Sequence, residues 1–238
     1  MKKLRTVFLS VIFLGCCFFA AAQTRFSGWI ATFHTYALDK KFSIHFDGQW
    51  RSTDQVQHMQ TLLLRWGLNM KVRKNMTVTG GYAYIHNRRV ISDISGYAPE
   101  HRFWEQFIVS HKFGRGSLAH RFRLEQRLIG KSLIENNEFK NQGNVFANRF
   151  RYFFRAYIPI VEAKGPFLAL QNEILLNYGD KSVVNGKVFD QNRAYAAIGY
   201  RFSKKFDAEV GYMNQYISGT NNAFVNNHIF QVATYIRL

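Results

Sequence analysis

The amino-acid sequence predicts an all-β protein, a closed antiparallel transmembrane β-barrel of about 10–12 strands. Three observations favour this fold: long stretches in which apolar and polar residues alternate, an aromatic content of 16%, and connectors that are alternately short and long. Alternation with a period of two is typical of strands whose two faces meet different surroundings. Outer-membrane barrels join such strands by tight turns at one end and by longer loops at the other.

The N-terminus has the organisation of a secretory signal peptide. Residues 2–5 carry three basic side chains, the run TVFLSVIFLGCCFFA is apolar, and alanines precede a predicted cleavage after Ala22. The chain is therefore divided into a cleaved signal peptide, residues 1–22, and one outer-membrane barrel domain, residues 23–238. Two alternatives stay open: a retained helix, although the run is shorter than the ~20 residues needed to span a bilayer, and a lipoprotein acylated at Cys16.

Cysteine usage and net charge limit the partners of the processed chain. Cys16 and Cys17 both fall in the predicted signal peptide, so disulfides and thiolate zinc sites are excluded from the remainder. Loss of Lys2, Lys3 and Arg5 would lower the net charge from +17 to +14. Such a charge favours anionic partners. We expect outer-membrane lipid, lipopolysaccharide and small anionic solutes as partners, no nucleic acid, no cofactor and a monomeric barrel.

Eleven segments can be interpreted as strands. Nine of them alternate clearly: residues 42–51, 59–72, 76–87, 118–130, 146–158, 168–178, 190–202, 206–216 and a last segment that ends at residue 238. Segments 26–38 and 101–113 alternate less cleanly. In the second, Glu105 shares parity with Phe103 and Phe107, and we predict a β-bulge there, because one extra residue moves the following side chains to the other face.

The connectors between the segments differ in length. The tight ones read DKK, RKN, GRGS and SKK, whereas residues 86–100, 131–143, 178–190 and 218–227 are predicted to form long loops. These long connectors are rich in Asn, Gly, Ser and Asp, which favour turns. Because bacterial barrels have an even number of strands, we expect either that residues 23–38 behave differently or that one hairpin is miscounted.

The length of the segments predicts that the sheet is closed. In hydrocarbon, every backbone N–H and C=O group needs a partner within the protein, and an open sheet edge lacks one. The alternative is a soluble periplasmic β-sandwich, whose strands would average about 5–6 residues. The observed segments are about twice as long, as membrane-spanning strands are. The apolar parity is then predicted to contact lipid and the charged parity to line the lumen.

The charged parity carries the candidate functional residues, which are mostly arginines. They are Arg51, Arg65, Arg121, Arg123, Glu125, Arg127, Arg149, Arg151, Arg155, Glu173, Arg193, Arg201 and Glu209. An arginine-rich lumen could select anions, as rings of cationic side chains do in pores. We favour the alternative of a packed lumen, in which arginines pair with carboxylates such as Asp47 and Glu173, because about sixteen strands are needed for an open channel.

Six segments together resemble the signature blocks of a known family. In chain order they are EHRFWEQF, HRFRLEQR, RFRYFFRAYIPI, LQNEILLN, FDQNRAYAAIGYRF and EVGYMNQY. The chain from residue 41 to its C-terminus resembles the Gram-negative outer-membrane barrels catalogued as domain of unknown function 2490. The resemblance implies a barrel and an outer-membrane location. This family has no established activity, so the resemblance implies no catalytic residue.

An outer-membrane acyl-ester hydrolase, of the phospholipase or lipid A deacylase type, is the alternative function. It needs a serine with a histidine within reach. Ser110 and His111 are adjacent, but neighbours on a strand point to opposite faces; His120 and His228 fall on the lipid-facing parity. No two histidines are spaced i, i+4, so no metal site is predicted. The basic patch at residues 86–89 could contact lipopolysaccharide phosphate.

Overall fold

The computed structural model describes residues 22–161, 164–221 and 223–238, and within these ranges eleven strands form one closed barrel. The strands are β1 Ala22–Ala37, β2 Phe42–Ser52, β3 Met59–Arg73, β4 Met76–Ile91, β5 Ile94–Phe113, β6 Gly116–Glu135, β7 Glu138–Pro159, β8 Gly165–Tyr178, β9 Phe189–Arg201, β10 Phe206–Ser218 and β11 Phe224–Arg237. A 3-10 turn, Asp54–Val56, lies between β2 and β3. Residues 1–21 of the predicted signal peptide lie outside the described residues. No helix in the described ranges is long and apolar enough to cross a bilayer.

Closure of the barrel confirms the predicted fold class. Consecutive strands pair antiparallel, and β1 closes the barrel by pairing parallel with β11, from Ala22 opposite Phe224 to Thr35 opposite Arg237. An odd number of antiparallel strands requires this geometry, because the first and last strands then run in the same direction. The expectation of an even number is therefore wrong for the described chain, and the eleven segments interpreted as strands, including the first, are strands.

The strands are staggered around the barrel. A path drawn perpendicular to the strands leaves β1 at Ala37 and returns to β1 at Gln23. Such a stagger tilts the strands relative to the barrel axis and sets the barrel's diameter. We call the end with the β1–β2, β3–β4, β5–β6, β7–β8 and β9–β10 connections the turn end, and the opposite end the hairpin end.

Two of the predicted long loops are strands instead. At the hairpin end, β4 and β5 pair as far as Ile91 and Ile94, and β6 and β7 pair as far as Glu135 and Glu138. The intervening residues, Ser92, Asp93, Asn136 and Asn137, all have positive φ, which suits two-residue hairpin turns. The loop predictions for residues 86–100 and 131–143 are wrong because polar residues occupy both faces of these extensions, so that alternation no longer marks the strand.

The predicted bulge at Glu105 is also wrong. Strand β5 pairs with β4 and β6 without a register shift at this position. Glu105 therefore remains on the outer face with Phe103 and Phe107, both exposed, and it accepts a hydrogen bond of 3.2 Å from Gln126 Nε2. The alternation is intact, and the irregularity in the sequence is a carboxylate placed on an otherwise apolar face.

The outer face of the barrel is covered by exposed apolar side chains. They include Phe26, Ile30, Trp66, Leu68, Phe103, Leu124, Leu170, Ile198, Val210, Tyr212 and Phe230. Soluble monomers rarely expose contiguous apolar patches larger than a few hundred Å². An outward apolar band with aromatic residues is typical of transmembrane barrels.

The inner face also contains apolar groups, in two clusters. One, which we call the apolar sector, consists of Trp29, Phe167, Ala169, Tyr195, Ala197, Met213 and Ile229. The other consists of Leu63, Ala83, Ile85 and Trp104. Trp104 lies against inward-facing glycines of β3 and β4: a Cβ at Gly67 would be 2.8 Å from the indole, and one at Gly81 2.6 Å from it. Glycine at these positions gives the ring space inside the barrel.

Candidate functional site

All thirteen predicted charged residues lie on the described strands and are buried or half-buried. Arg65, Arg123, Glu125, Arg149, Arg151, Glu173 and Glu209 are buried. Arg51, Arg121, Arg127, Arg155, Arg193 and Arg201 are half-buried. Several of them contact strands that are not their neighbours: Arg155 of β7 donates to Glu209 of β10, with an Nη2–Oε2 distance of 2.6 Å. Such contacts require both side chains to project into the lumen.

The centre of the lumen holds a network built around Arg151. Glu125 accepts hydrogen bonds from Arg149 Nη2 and Arg151 Nη1, each at 2.7 Å. Arg151 Nη2 also donates to both carboxylate oxygens of Glu173 at 2.7 Å, and Arg121 Nη2 donates to Glu173 at 2.8 Å. Arg151 of β7 thus bridges Glu125 and Glu173, which lie on the strands to either side, β6 and β8. Charge-assisted bonds of this kind are roughly twice as strong as neutral hydrogen bonds.

The lumen also contains charged residues that the sequence did not identify. Glu100 Oε1 accepts bonds of 2.6 Å from the Nε atoms of both Arg102 and Arg127. Asp207 accepts bonds from Arg201 and Arg237. Glu100 was placed in a predicted loop, and Arg102 in a segment whose alternation was interpreted as irregular. Their spacing of two residues, which puts both on one face of a strand, was the available signal.

An aromatic ring crosses the lumen beside this network. The Cζ atoms of Arg123 and Arg65 lie 4.7 and 5.8 Å from the ring centroid of Trp104, which also makes an edge contact with His45 across the barrel. Arg123 is 1% exposed and donates through Nε and Nη2 to Gln106 Oε1. Its Nη1 has no hydrogen-bond partner among the described residues and lies 3.9 Å from a carboxylate oxygen of Glu125.

The network around Arg151 and the adjacent side chains of Trp104 and Arg123 form what we call the central layer. Cavities open on both sides of this layer. Two lie at the turn end, one of about 620 Å³ lined by Arg155, Arg201 and Arg237, and one of about 430 Å³ lined by Arg121 and Arg123. The third, of about 270 Å³, lies at the hairpin end and is called the hairpin-end cavity. As formed by the described residues, the three cavities share no lining residue. Between the two ends, the side chains of Trp104, Arg123 and Glu125 are packed and each is 1% exposed.

Basic side chains outnumber carboxylates in each cavity. The ratio of Lys and Arg to Asp and Glu in the lining is five to one in both turn-end cavities and seven to two in the hairpin-end cavity. Low-dielectric walls focus the field of such charges and concentrate counter-ions near them. No group of three His, Cys, Asp or Glu side chains among the described residues is arranged to hold a metal ion.

The fold and its lumen define a porin-like β-barrel with an arginine-rich interior. The family model described as Protein of unknown function (DUF2490) matches residues 26–226, and the chain belongs to this family, as the sequence blocks predicted. The solved NanC porin structure, in a rhombohedral crystal form, is similar with a TM-score of 0.52 and 10% sequence identity, covering 89% of this chain and 98% of that chain. No curated protein matches the chain.

Proposed function

We propose that this chain is an outer-membrane β-barrel that passes small anions through a narrow, arginine-lined lumen. The observation that carries the proposal is the excess of basic side chains in all three cavities, at both ends of the barrel. Cationic rings select anions because they replace part of the ion's hydration shell and repel cations. A sealed barrel with a purely structural role would not need an excess of basic over acidic side chains in the cavities at both ends.

The central layer limits the size of what passes. Trp104, Arg123 and Glu125 are each 1% exposed, so that an anion can cross only when side chains of this layer change rotamer. The layer consists of strand side chains, which exchange rotamers more readily than a folded plug would move. We therefore expect a small conductance with brief open events. The Nη1 group of Arg123, which lacks a hydrogen-bond partner in the described chain, would receive an anion at this point.

The membrane location is part of the proposal. Residues 1–22 would direct export and be removed after Ala22, and the exposed apolar outer face would then contact the acyl chains of lipid. Residues 86–89, at the hairpin end of β4, would contact lipopolysaccharide phosphate. The NanC structure is that of a porin, and this chain shares its fold. We propose that the barrel acts as a monomer, because a single chain closes its own sheet.

Conductance of the refolded barrel in planar bilayers tests the proposal. We expect discrete conductance steps and, in a salt gradient, a reversal potential that indicates anion preference. Arg123→Gln and Arg151→Gln should lower that preference because each removes a central positive charge. Lys140→Gln is the matched control, since Lys140 pairs with Glu135 in an exposed hairpin. Bilayers that show no steps, or a preference for cations, would contradict the proposal.

The acyl-ester hydrolase alternative has no supporting geometry in the described chain. The hydrogen-bonded histidine rings there contact threonine, tyrosine or aspartate side chains, as in His120 with Tyr152 and His45 with Asp47. A hydrolase would need a serine hydroxyl within reach of such a ring. Release of fatty acid from phospholipid or lipid A by the purified barrel would replace the anion-channel proposal.

A further inference from the structure

Arg51 has an unusual environment for a charged group inside the barrel. It lies on β2 and lines the hairpin-end cavity. Its Nε and Nη2 atoms donate to Oε1 of Gln49 at 3.2 and 2.6 Å, and no carboxylate of the described residues forms an ion pair with it. A half-buried charge without a counter-charge is costly. An anion bound in the cavity would supply that counter-charge.

A second guanidinium lies at the same indole ring and lines the same cavity. The Cζ atoms of Arg51 and Arg193 are 4.1 and 5.4 Å from the ring centroid of Trp29. Arg193 reaches one carboxylate, Glu173, at 3.4 Å, and Arg151 binds the same carboxylate more closely. The Nε of Arg193 is buried without a hydrogen-bond partner among the described residues. The two like charges at this indole thus have one carboxylate of the described chain between them, Glu173, and otherwise donate to the neutral amides of Gln49 and Gln191.

The lining of the hairpin-end cavity suits a small anion. Seven arginines face it against two carboxylates, Asp54 and Glu100, and side-chain amides such as Gln191 and Gln215 complete the wall. Both carboxylates already accept hydrogen bonds: Asp54 from the backbone N–H of Phe26, Glu100 from arginines. The volume of about 270 Å³ is slightly below the ~300–1,000 Å³ of pockets for drug-sized ligands. The ligand must therefore be compact.

We propose that the hairpin-end cavity is a binding site for a compact divalent oxyanion of phosphate type, held by Arg51 and Arg193 beside Trp29. The planar guanidinium presents paired N–H donors that match the oxygen spacing of a phosphate group. Two such groups on one ligand favour a divalent oxyanion over chloride, which has only a single acceptor atom to set against the paired donors. This inference rests on the proposed function, because it names the class of solute that the barrel would pass. Binding of the anion in the cavity does not itself require that the barrel conducts ions.

Titration calorimetry of the refolded barrel in detergent, with inorganic phosphate as the probe, tests the site. We expect saturable binding that equimolar chloride does not displace. Arg51→Gln and Arg193→Gln should each weaken binding by on the order of tenfold, because each removes a charge-assisted hydrogen-bond donor. The matched control is Arg73→Gln, since Arg73 is exposed at the turn end of β3 and should leave binding unchanged.

Two further variants keep the test decisive if Arg51→Gln does not fold. Arg51→Lys retains the charge but loses the planar fork, and we expect weaker binding than in the unchanged barrel. Phosphate should alter the tryptophan fluorescence, and Trp29→Phe should abolish that change. No saturable binding, or equal binding by the Gln variants and by Arg73→Gln, would overturn the site. Binding without bilayer conductance would remove the channel and leave the site standing.

Discussion

The lumen of this barrel is filled in two ways, and the two regions differ in what holds them together. On β5–β8, arginines and glutamates form the network around Arg151. On β8–β11 and β1, the apolar sector packs aromatic rings against alanine and glycine. Both regions use the same inward parity of their strands. The polar region depends on directional bonds between charges, whereas the apolar sector depends on the fit between large and small residues.

The difference has a functional consequence. A polar network that is built mostly from arginine leaves guanidinium donors for a solute, as at Arg123 and at Arg193, which joins the network from β9 through Glu173. The apolar sector presents rings and methyl groups to the lumen. We therefore expect any solute path to follow the polar region, with the apolar sector acting as the rigid wall on the other side.

Loss of one glutamate from the polar region should have the largest effect. Glu125→Leu leaves Arg149 and Arg151 without the carboxylate that each contacts at 2.7 Å. Removing one partner from a buried ion pair costs about 3–5 kcal/mol. Urea unfolding in lipid vesicles, followed by tryptophan fluorescence, measures this free energy. A loss of stability no larger than that of an exposed variant would show that the network does not hold the barrel together.

Overpacking of the apolar sector should have the next largest effect. A Cβ at Gly199 would collide with the ring of Phe167, and Gly199→Val should therefore lower the free energy of unfolding by about 1–3 kcal/mol. Gly80→Ala is the control, because a Cβ at Gly80 meets no atom within 4 Å. Equal stability of the two variants would mean that the sector is loosely packed and that its fit is not what stabilises it.

Removal of the carboxylate on the outer face should increase stability. Glu105 is exposed among apolar residues, and charged groups on the lipid face destabilise barrels in a depth-dependent way. Glu105→Leu should raise the free energy of unfolding in vesicles by about 1 kcal/mol, with Glu135→Leu at the hairpin tip as the control. A lower stability of the Glu105 variant would show that its hydrogen bond with Gln126 outweighs the cost of a charge on the outer face.

The smallest effect is expected at a turn outside the lumen. The pKa of Asp39 lies below its ordinary range because its carboxylate accepts hydrogen bonds from the backbone N–H groups of Phe42 and Lys41. A lowered pKa in the folded state stabilises the barrel at neutral pH, and this contribution is lost as pH falls through the folded pKa. The barrel should therefore be slightly more stable than its Asp39→Asn variant at neutral pH. Equal unfolding midpoints are expected at strongly acidic pH, and a difference that grew with acidity would contradict this interpretation.

Much of the fold could be predicted from parity alone. Residues 42–51 and 118–130 alternate so regularly that their inward and outward faces could be assigned without coordinates. Alternation gave a wrong prediction where one face of a strand carries a side chain of the type expected on the other face. In β5, Glu105 lies outside and Trp104 lies inside, which inverts the usual pattern and led to a bulge that does not exist.

The sequence by itself determined which side chains share a face, because a strand's period of two depends only on neighbouring residues. Only the tertiary structure decided which distant residues meet across the lumen. The antiparallel register of β1 with β2 places Arg51 opposite Trp29, and the parallel pairing of β1 with β11 closes the sheet so that Arg193 of β9 reaches the same ring. Register and closure are properties of the whole sheet, and the alternation within any one strand contains no information about them.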